Sequence, residues 1–273
     1  MARSPDYLGI HRHKPAVRND NIKRLSRGEI LVPTMNGNLT GKTAVVTGGS
    51  RGIGLGIAHE LAASGCRVAI AGRDSRALEA AIAQFKNEDL SLSAKRCDVS
   101  NPDQVNELFQ AVRERFKSLD FLINNAGAAH ALANVDRLTP DEFRRVIDTN
   151  LVGTFLCCRA AIPLMSAGSV IVNNLSVAAH QTFAGMSGYN ASKAGALAFT
   201  NTLREELRTQ GIRVMALIPG AVDTDIWQQF WPDAPREKMV STQDVARAVV
   251  LTLTMPPNTS IDEIRIGPAS GTL

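Results

Sequence analysis

From Thr43 to Ile266 the chain alternates short apolar runs with longer amphipathic ones, and that alternation leaves few folds open. Strand-like runs occur at 43–47, 67–71, 91–97, 120–124, 169–175, 212–218 and 262–266. Helical periodicity fills the gaps at 53–64, 75–87, 102–117, 140–165, 188–210 and 242–254. Repeated strand–helix–strand units make a parallel sheet with right-handed crossovers. Aromatics are sparse and Ala, Val, Ile and Leu dominate, as suits strands buried on both faces. The expected fold class is α/β: a doubly wound, seven-stranded parallel sheet with helices on both faces. With 273 residues and 44% hydrophobic content, one such domain buries a sufficient core without disulfides or metals. Cys66, Cys97, Cys157 and Cys158 show no metal-ligand spacing and read as reduced thiols.

The turn after the first run is the sharpest local signal. Thr47-Gly48-Gly49-Ser50-Arg51-Gly52-Ile53-Gly54 follows Thr43-Ala44-Val45-Val46 and opens a helical pattern at Ile53, Ile57 and Leu61. Strand, glycine turn and helix are what a nucleotide-binding loop requires. The glycines let backbone approach a pyrophosphate at the positive end of the helix. The spacing is T-G-x-x-x-G-x-G, not the commoner G-x-G-x-x-G.

Farther along, Tyr189 and Lys193 stand four apart in a helical stretch, which puts them on one face, one turn apart. A phenol ionises near pH 10, and a fixed ammonium beside it would lower that value. A shift of about 3 units needs roughly 4 kcal/mol, within reach of a partly buried pair with a bound cofactor. Ser176 ends the run that starts at Ser169, so it falls at a strand's carboxyl end, where open α/β sheets place ligands.

With these residues in view, the chain from about Leu39 onward resembles the short-chain dehydrogenases/reductases, in their single-domain branch. Further matches come in family order: Asp98-Val99, Asn124-Asn125-Ala126-Gly127, Asn150, and Pro219-Gly220-Ala221-Val222-Asp223-Thr224. The resemblance implies a sheet order of 3-2-1-4-5-6-7. It implies a catalytic set of Asn150, Ser176, Tyr189 and Lys193, with Asn150 anchoring a water that relays protons to Lys193. It also implies a dinucleotide held by Gly48, Ser50, Arg51, Ile53 and Gly54, by Asp98 and Val99 at the adenine, and by Asn125, Ala126 and Gly127. At the nicotinamide end it implies Tyr189, Lys193, Pro219, Gly220, Val222 and Thr224.

Charge argues for the phosphorylated cofactor. NAD-binding sheets place an acid at the end of the second strand, where this chain has Gly72 followed by Arg73. Arg73 and Arg51 can both reach a 2′-phosphate, which an acid would repel. Asp74 reads as the N-cap of the next helix. NADP(H) is the expected cofactor, and no metal is called for.

The formal charge of +4 is no sign of nucleic acid. Residues 1–40 carry seven Lys and Arg against three acids, which accounts for the whole excess. Residues 1–38 are expected to form a basic extension packed on the domain or on a neighbouring subunit, with the catalytic domain over 39–273. Neither nucleic acid nor membrane is an expected partner, and the expected location is cytoplasmic. A homodimer or homotetramer is implied by the resemblance.

The substrate pocket is expected from Ala128, Ala129 and His130, from Ala178, His180, Gln181 and Phe183, and from the loop carrying Trp227, Phe230 and Trp231. Three aromatics in such a loop favour an apolar substrate, because a lid of this kind excludes water. The reading that follows is reduction of a ketone or aldehyde, or oxidation of the matching alcohol. The alternatives are a 3-oxoacyl thioester reductase, against which the C-terminal Ser260–Pro268 segment departs from the usual pattern, and a non-catalytic NADPH-binding sensor or scaffold.

Overall fold

The computed structural model describes residues 39–271; the extension expected over 1–38 lies outside the described residues. Seven strands make one sheet: β1 (Thr43–Thr47), β2 (Arg67–Gly72), β3 (Leu92–Arg96), β4 (Phe121–Asn124), β5 (Val170–Asn174), β6 (Arg213–Pro219) and β7 (Glu263–Ile266). Their order is β3-β2-β1-β4-β5-β6-β7, and every pairing is parallel. This is the doubly wound Rossmann-type sheet expected from the alternation.

The helices are α1 (Gly52–Ala63), α2 (Ser75–Asn87), α3 (Pro102–Phe116), α4 (Pro140–Ile147), α5 (Gly153–Ala161), α6 (Ser187–Arg208) and α7 (Thr242–Leu253). Successive strand residues point to opposite faces, so each inner strand feeds two cores, while the edge strands β3 and β7 feed one. Val46, Ile70, Ile123, Val172 and Leu217 pack with α1, α2 and α7. Val45, Ala71, Leu122, Ile171 and Val214 pack with α3, α5 and α6 on the other face.

Local chemistry sets the helix starts. Asp74 accepts the amides of Arg76 and Ala77 at 3.0 and 3.2 Å, the N-cap read from the sequence. Thr139 and Glu142 close a reciprocal capping box on α4. The single helix expected over 140–165 is interrupted. A π-helical turn spans Asp148–Val152, and a 3₁₀ turn at Ile162–Leu164 ends the run at Pro163. Thr149 and Thr154 each hydrogen-bond the carbonyl four residues back, at Arg145 and Asn150, a contact that loosens a regular helix. The wider turn holds Asn150 in the interior.

Among the described residues no helix is long and apolar enough to cross a membrane. Nor does any group of three or more His, Cys, Asp or Glu among them suit a metal ion.

Candidate active site

The carboxyl ends of β1, β4, β5 and β6 open onto one cavity of about 1140 Å³, enough for a dinucleotide and a substrate together. Gly48, Ser50, Arg51, Ile53, Arg73, Asp98 and Val99 line one end. Asn125, Ala126, Gly127, Ser176, Tyr189, Lys193, Pro219, Gly220, Val222 and Thr224 line the rest. Of the residues expected to carry the chemistry or hold the dinucleotide, Gly54 and Asn150 lie behind the wall, not on it.

Gly54 is there because nothing larger fits. A Cβ at this position would stand 2.3 Å from both the Gly48 carbonyl and Asn125 Nδ2. Arg51 takes the N-cap position of α1 in extended backbone and offers no side-chain cap, and the first turn carries no acid. The positive end of α1 therefore faces the cavity without a protein anion, the arrangement that suits a pyrophosphate. Arg51 and Arg73 are exposed beside it, while Asp74 is occupied at its cap. Asp98 is held by Ser100, whose amide and hydroxyl donate to it at 3.0 and 2.7 Å.

A polar web ties the strand ends together. Thr47 Oγ1 accepts the amides of Asn125 and Ala126 at 3.0 and 3.1 Å. Asn125 Nδ2 donates to the Thr47 and Gly48 carbonyls at 3.2 and 3.0 Å, and its Oδ1 accepts from Asn174 Nδ2 at 2.8 Å. Behind it, Asn124 Nδ2 donates to Asn173 Oδ1 at 2.9 Å, and Asn173 Nδ2 donates to Thr200 Oγ1 at 2.9 Å. Sequence reading gives Asn173 and Asn174 no role, and Thr47 none beyond opening the glycine motif. The available signal was two amides closing an otherwise apolar strand.

Ser176 follows β5 in extended backbone, and its Oγ accepts the Ala178 amide at 3.1 Å. Burial raises the Tyr189 phenol above its ordinary pKa, and the neighbouring Ser176 hydroxyl, which acts in the other direction, does not offset this. The direction is opposite to the lowering expected from Lys193. Lys193, 5% exposed, donates Nζ to the Asn174 carbonyl at 2.9 Å, and burial pulls its own pKa down to about 8. Asn150 is fully engaged as a brace. Its Oδ1 accepts the Ala128 amide at 2.8 Å, and its Nδ2 donates to the Ala128 carbonyl and to Ser192 Oγ, each at 2.9 Å.

That brace corrects the expected pocket wall. Drawn inward by Asn150, residues 128–130 are buried and do not line the cavity. The His130 ring is wedged near Gly188, with Nδ1 2.7 Å from the Ala131 carbonyl. His180 and Gln181 also lie off the wall; His180 Nε2 is 3.1 Å from an Arg265 nitrogen. Leu132 and Met186 join Ala178, Phe183, Trp227, Phe230 and Trp231 there instead.

The match to known proteins follows the same ground. Residues 42–235 match the model of the short chain dehydrogenases. The chain belongs to that family. It is 33% identical over 232 residues to an uncharacterized oxidoreductase of Staphylococcus aureus, covering 84% of this chain and 98% of the relative. It is 37% identical over 195 residues to a 3-oxoacyl-[acyl-carrier-protein] reductase of Synechocystis, covering 70% and 78%. Among solved structures, a short-chain dehydrogenase from Burkholderia cenocepacia in complex with NADP superposes with a TM-score of 0.76 at 34% identity, covering 84% of this chain and 97% of that one. As a family member, the chain is an oxidoreductase.

Proposed function

We propose that this oxidoreductase is NADP(H)-dependent and reduces the carbonyl group of an apolar ketone or aldehyde, or runs the reverse oxidation. One observation carries the reading: Ser176, Tyr189 and Lys193 line a single cavity together with the uncapped N-terminal end of α1. A nicotinamide held by Pro219, Gly220, Val222 and Thr224 would supply the hydride. Tyr189, held protonated by burial, donates a proton to the carbonyl oxygen as negative charge grows there. Ser176 donates a hydrogen bond to the same oxygen and orients the substrate. Lys193 returns the proton to Tyr189 from solvent, along a relay whose walls Asn150 holds through Ala128 and Ser192.

Arg51 and Arg73 would hold a 2′-phosphate, a choice supported by the NADP bound to the Burkholderia relative. The amides at the start of α1 would take the pyrophosphate, and Pro219, Gly220, Val222 and Thr224 the nicotinamide edge. Trp227, Phe230, Trp231, Phe183 and Leu132 supply an apolar wall for the substrate. Reduction of a 3-oxoacyl thioester is the second reading, favoured by the Synechocystis relative.

The test is NADPH oxidation against ketones, aldehydes, quinones and 3-oxoacyl thioesters, with Tyr189→Phe alongside. Turnover by the native protein, lost in the variant while NADPH still binds, supports the proposal. A Tyr189→Phe protein with native rates would remove Tyr189 as proton donor. A preference for thioesters would favour the second reading.

A further inference from the structure

The loop between β6 and α7 has little regular structure of its own, yet it carries the aromatic wall. Its base is zipped by a bridge between Val222 and Val240, with the Asp223 amide donating to the Val240 carbonyl at 2.9 Å. Inside the loop, Arg236 reaches back across it. One guanidinium nitrogen, Nη1, donates to Asp223 Oδ1 at 2.6 Å and to the Thr224 carbonyl at 2.7 Å. Only 28% of the Arg236 side chain is exposed.

Thr224 meets two other parts of the site. Its methyl carbon lies 3.3 Å from where a Cβ on Gly52 would stand, so it rests against the glycine loop. Three residues on, Trp227 donates Nε1 to the Val222 carbonyl at 2.9 Å and packs on Phe230 and Trp231, with ring centres 4.9 and 6.1 Å away. The segment Val222–Thr224 is thus held by the guanidinium, the indole and the glycine loop at once.

We propose that Arg236 is a positioning residue that couples the aromatic lid to the cofactor-facing segment Pro219–Thr224. The proposal rests on the reductase reading, because that reading gives the segment its cofactor. A planar guanidinium fixes a carboxylate and a carbonyl together, whereas the point charge of a lysine orients them poorly. Without Arg236, the Asp223 carboxylate and the Thr224 carbonyl lose their shared donor, and the Thr224 carbonyl keeps only the longer bond from the Trp227 amide at 3.4 Å.

Both tryptophans of the chain, Trp227 and Trp231, lie in this lid, so fluorescence excited selectively at tryptophan reports on the lid alone. The experiment uses the full chain as native protein, R236A and R236K. Emission maximum and acrylamide quenching are read without ligand, followed by NADPH titration and steady-state kinetics on the best carbonyl substrate. R236A should show red-shifted, more quenchable emission. Its NADPH Kd should rise about tenfold or more, the loss expected for a charge-assisted hydrogen bond. Its KM values should rise more than its kcat falls, and R236K should recover part of the loss. A purely architectural residue would lower the melting temperature and leave emission and Kd native at 20–25 °C below it, as the thermal scale of such domains allows. Native emission and native Kd in R236A overturn the proposal. Should R236A prove unfolded by circular dichroism, D223N, which removes the charge and keeps the shape, decides on the same readouts. A native protein that binds no NADPH would overturn the reductase reading instead, and the ligand-free emission of the variants would still decide the coupling.

Discussion

Lys193 Nζ sits 5.7 Å from the centre of the Tyr189 ring and gives its hydrogen bond to the Asn174 carbonyl, so the two residues share a dry site with the lysine tethered to β5. The cost falls on the ammonium, whose pKa drops from 10.5 to about 8. Between those values the folded chain binds fewer protons at Lys193 than the unfolded chain does, so stability rises with pH across the window. The penalty is fully present below about pH 8 and is on the order of 3 kcal/mol. The unfolding free energy of the native protein relative to Lys193→Met should therefore climb between about pH 8 and 10.5, as read from urea midpoints. A difference that stays flat over this range would mean that Lys193 carries no buried charge.

Gly54→Ala should be among the most damaging single-methyl additions in the chain. The new Cβ would meet the Gly48 carbonyl and the Asn125 amide at 2.3 Å, and the carbonyl belongs to backbone that is itself tied down. We expect a loss of about 2 kcal/mol or more, about 5 °C or more in Tm, together with weakened NADPH binding. Calorimetry with and without NADPH checks both; a native Tm would show that the loop yields freely.

Replacing Arg51 and Arg73 together with Ala should cost about tenfold or more in NADPH affinity, a discounted figure because both side chains are exposed. NADH affinity should change little. Equal losses for both cofactors, measured by titration, would remove the 2′-phosphate assignment.

All four cysteines are free and buried. Burial pushes the Cys66 and Cys158 thiols up to about 12 and Cys97 to about 11, and raises Cys157 well above its ordinary value. Thiolate is the reactive form, so a thiol reagent at pH 8 should label none of them quickly in the folded protein and all four in urea. Cys97 lines the cavity and is the first place where a fast reaction would contradict this.

The sheet was open to reading because the strand–helix alternation repeats along the chain and the five inner strands are apolar on both faces, whereas the edge strands β3 and β7 carry charged residues outward. The residues around the chemistry were readable because they sit at strand ends in a fixed order. What escaped is tertiary. Nothing near Arg236 in the sequence points to Asp223 and Thr224, which it meets only because the loop doubles back. The inward pull of Asn150 on Ala128, which takes His130 off the pocket wall, depends on a π turn that no periodicity announces. Residue spacing puts Lys193 beside Tyr189 but carries no measure of burial, which acts on both members and sets the direction of each shift here.

The amide rungs at the ends of β4 and β5 have a consequence for how the sheet finds its own alignment. Phe121-Leu122-Ile123 beside Val170-Ile171-Val172 would bury nearly as well if one strand slid by two residues, since the alternation of faces would survive. Such a slip would separate Asn124 from Asn173 and Asn125 from Asn174, leaving the buried Asn124 and Asn173 amides without partners. Grease makes these strands adhere; the asparagines make one alignment the right one, and it is the alignment that brings the site together.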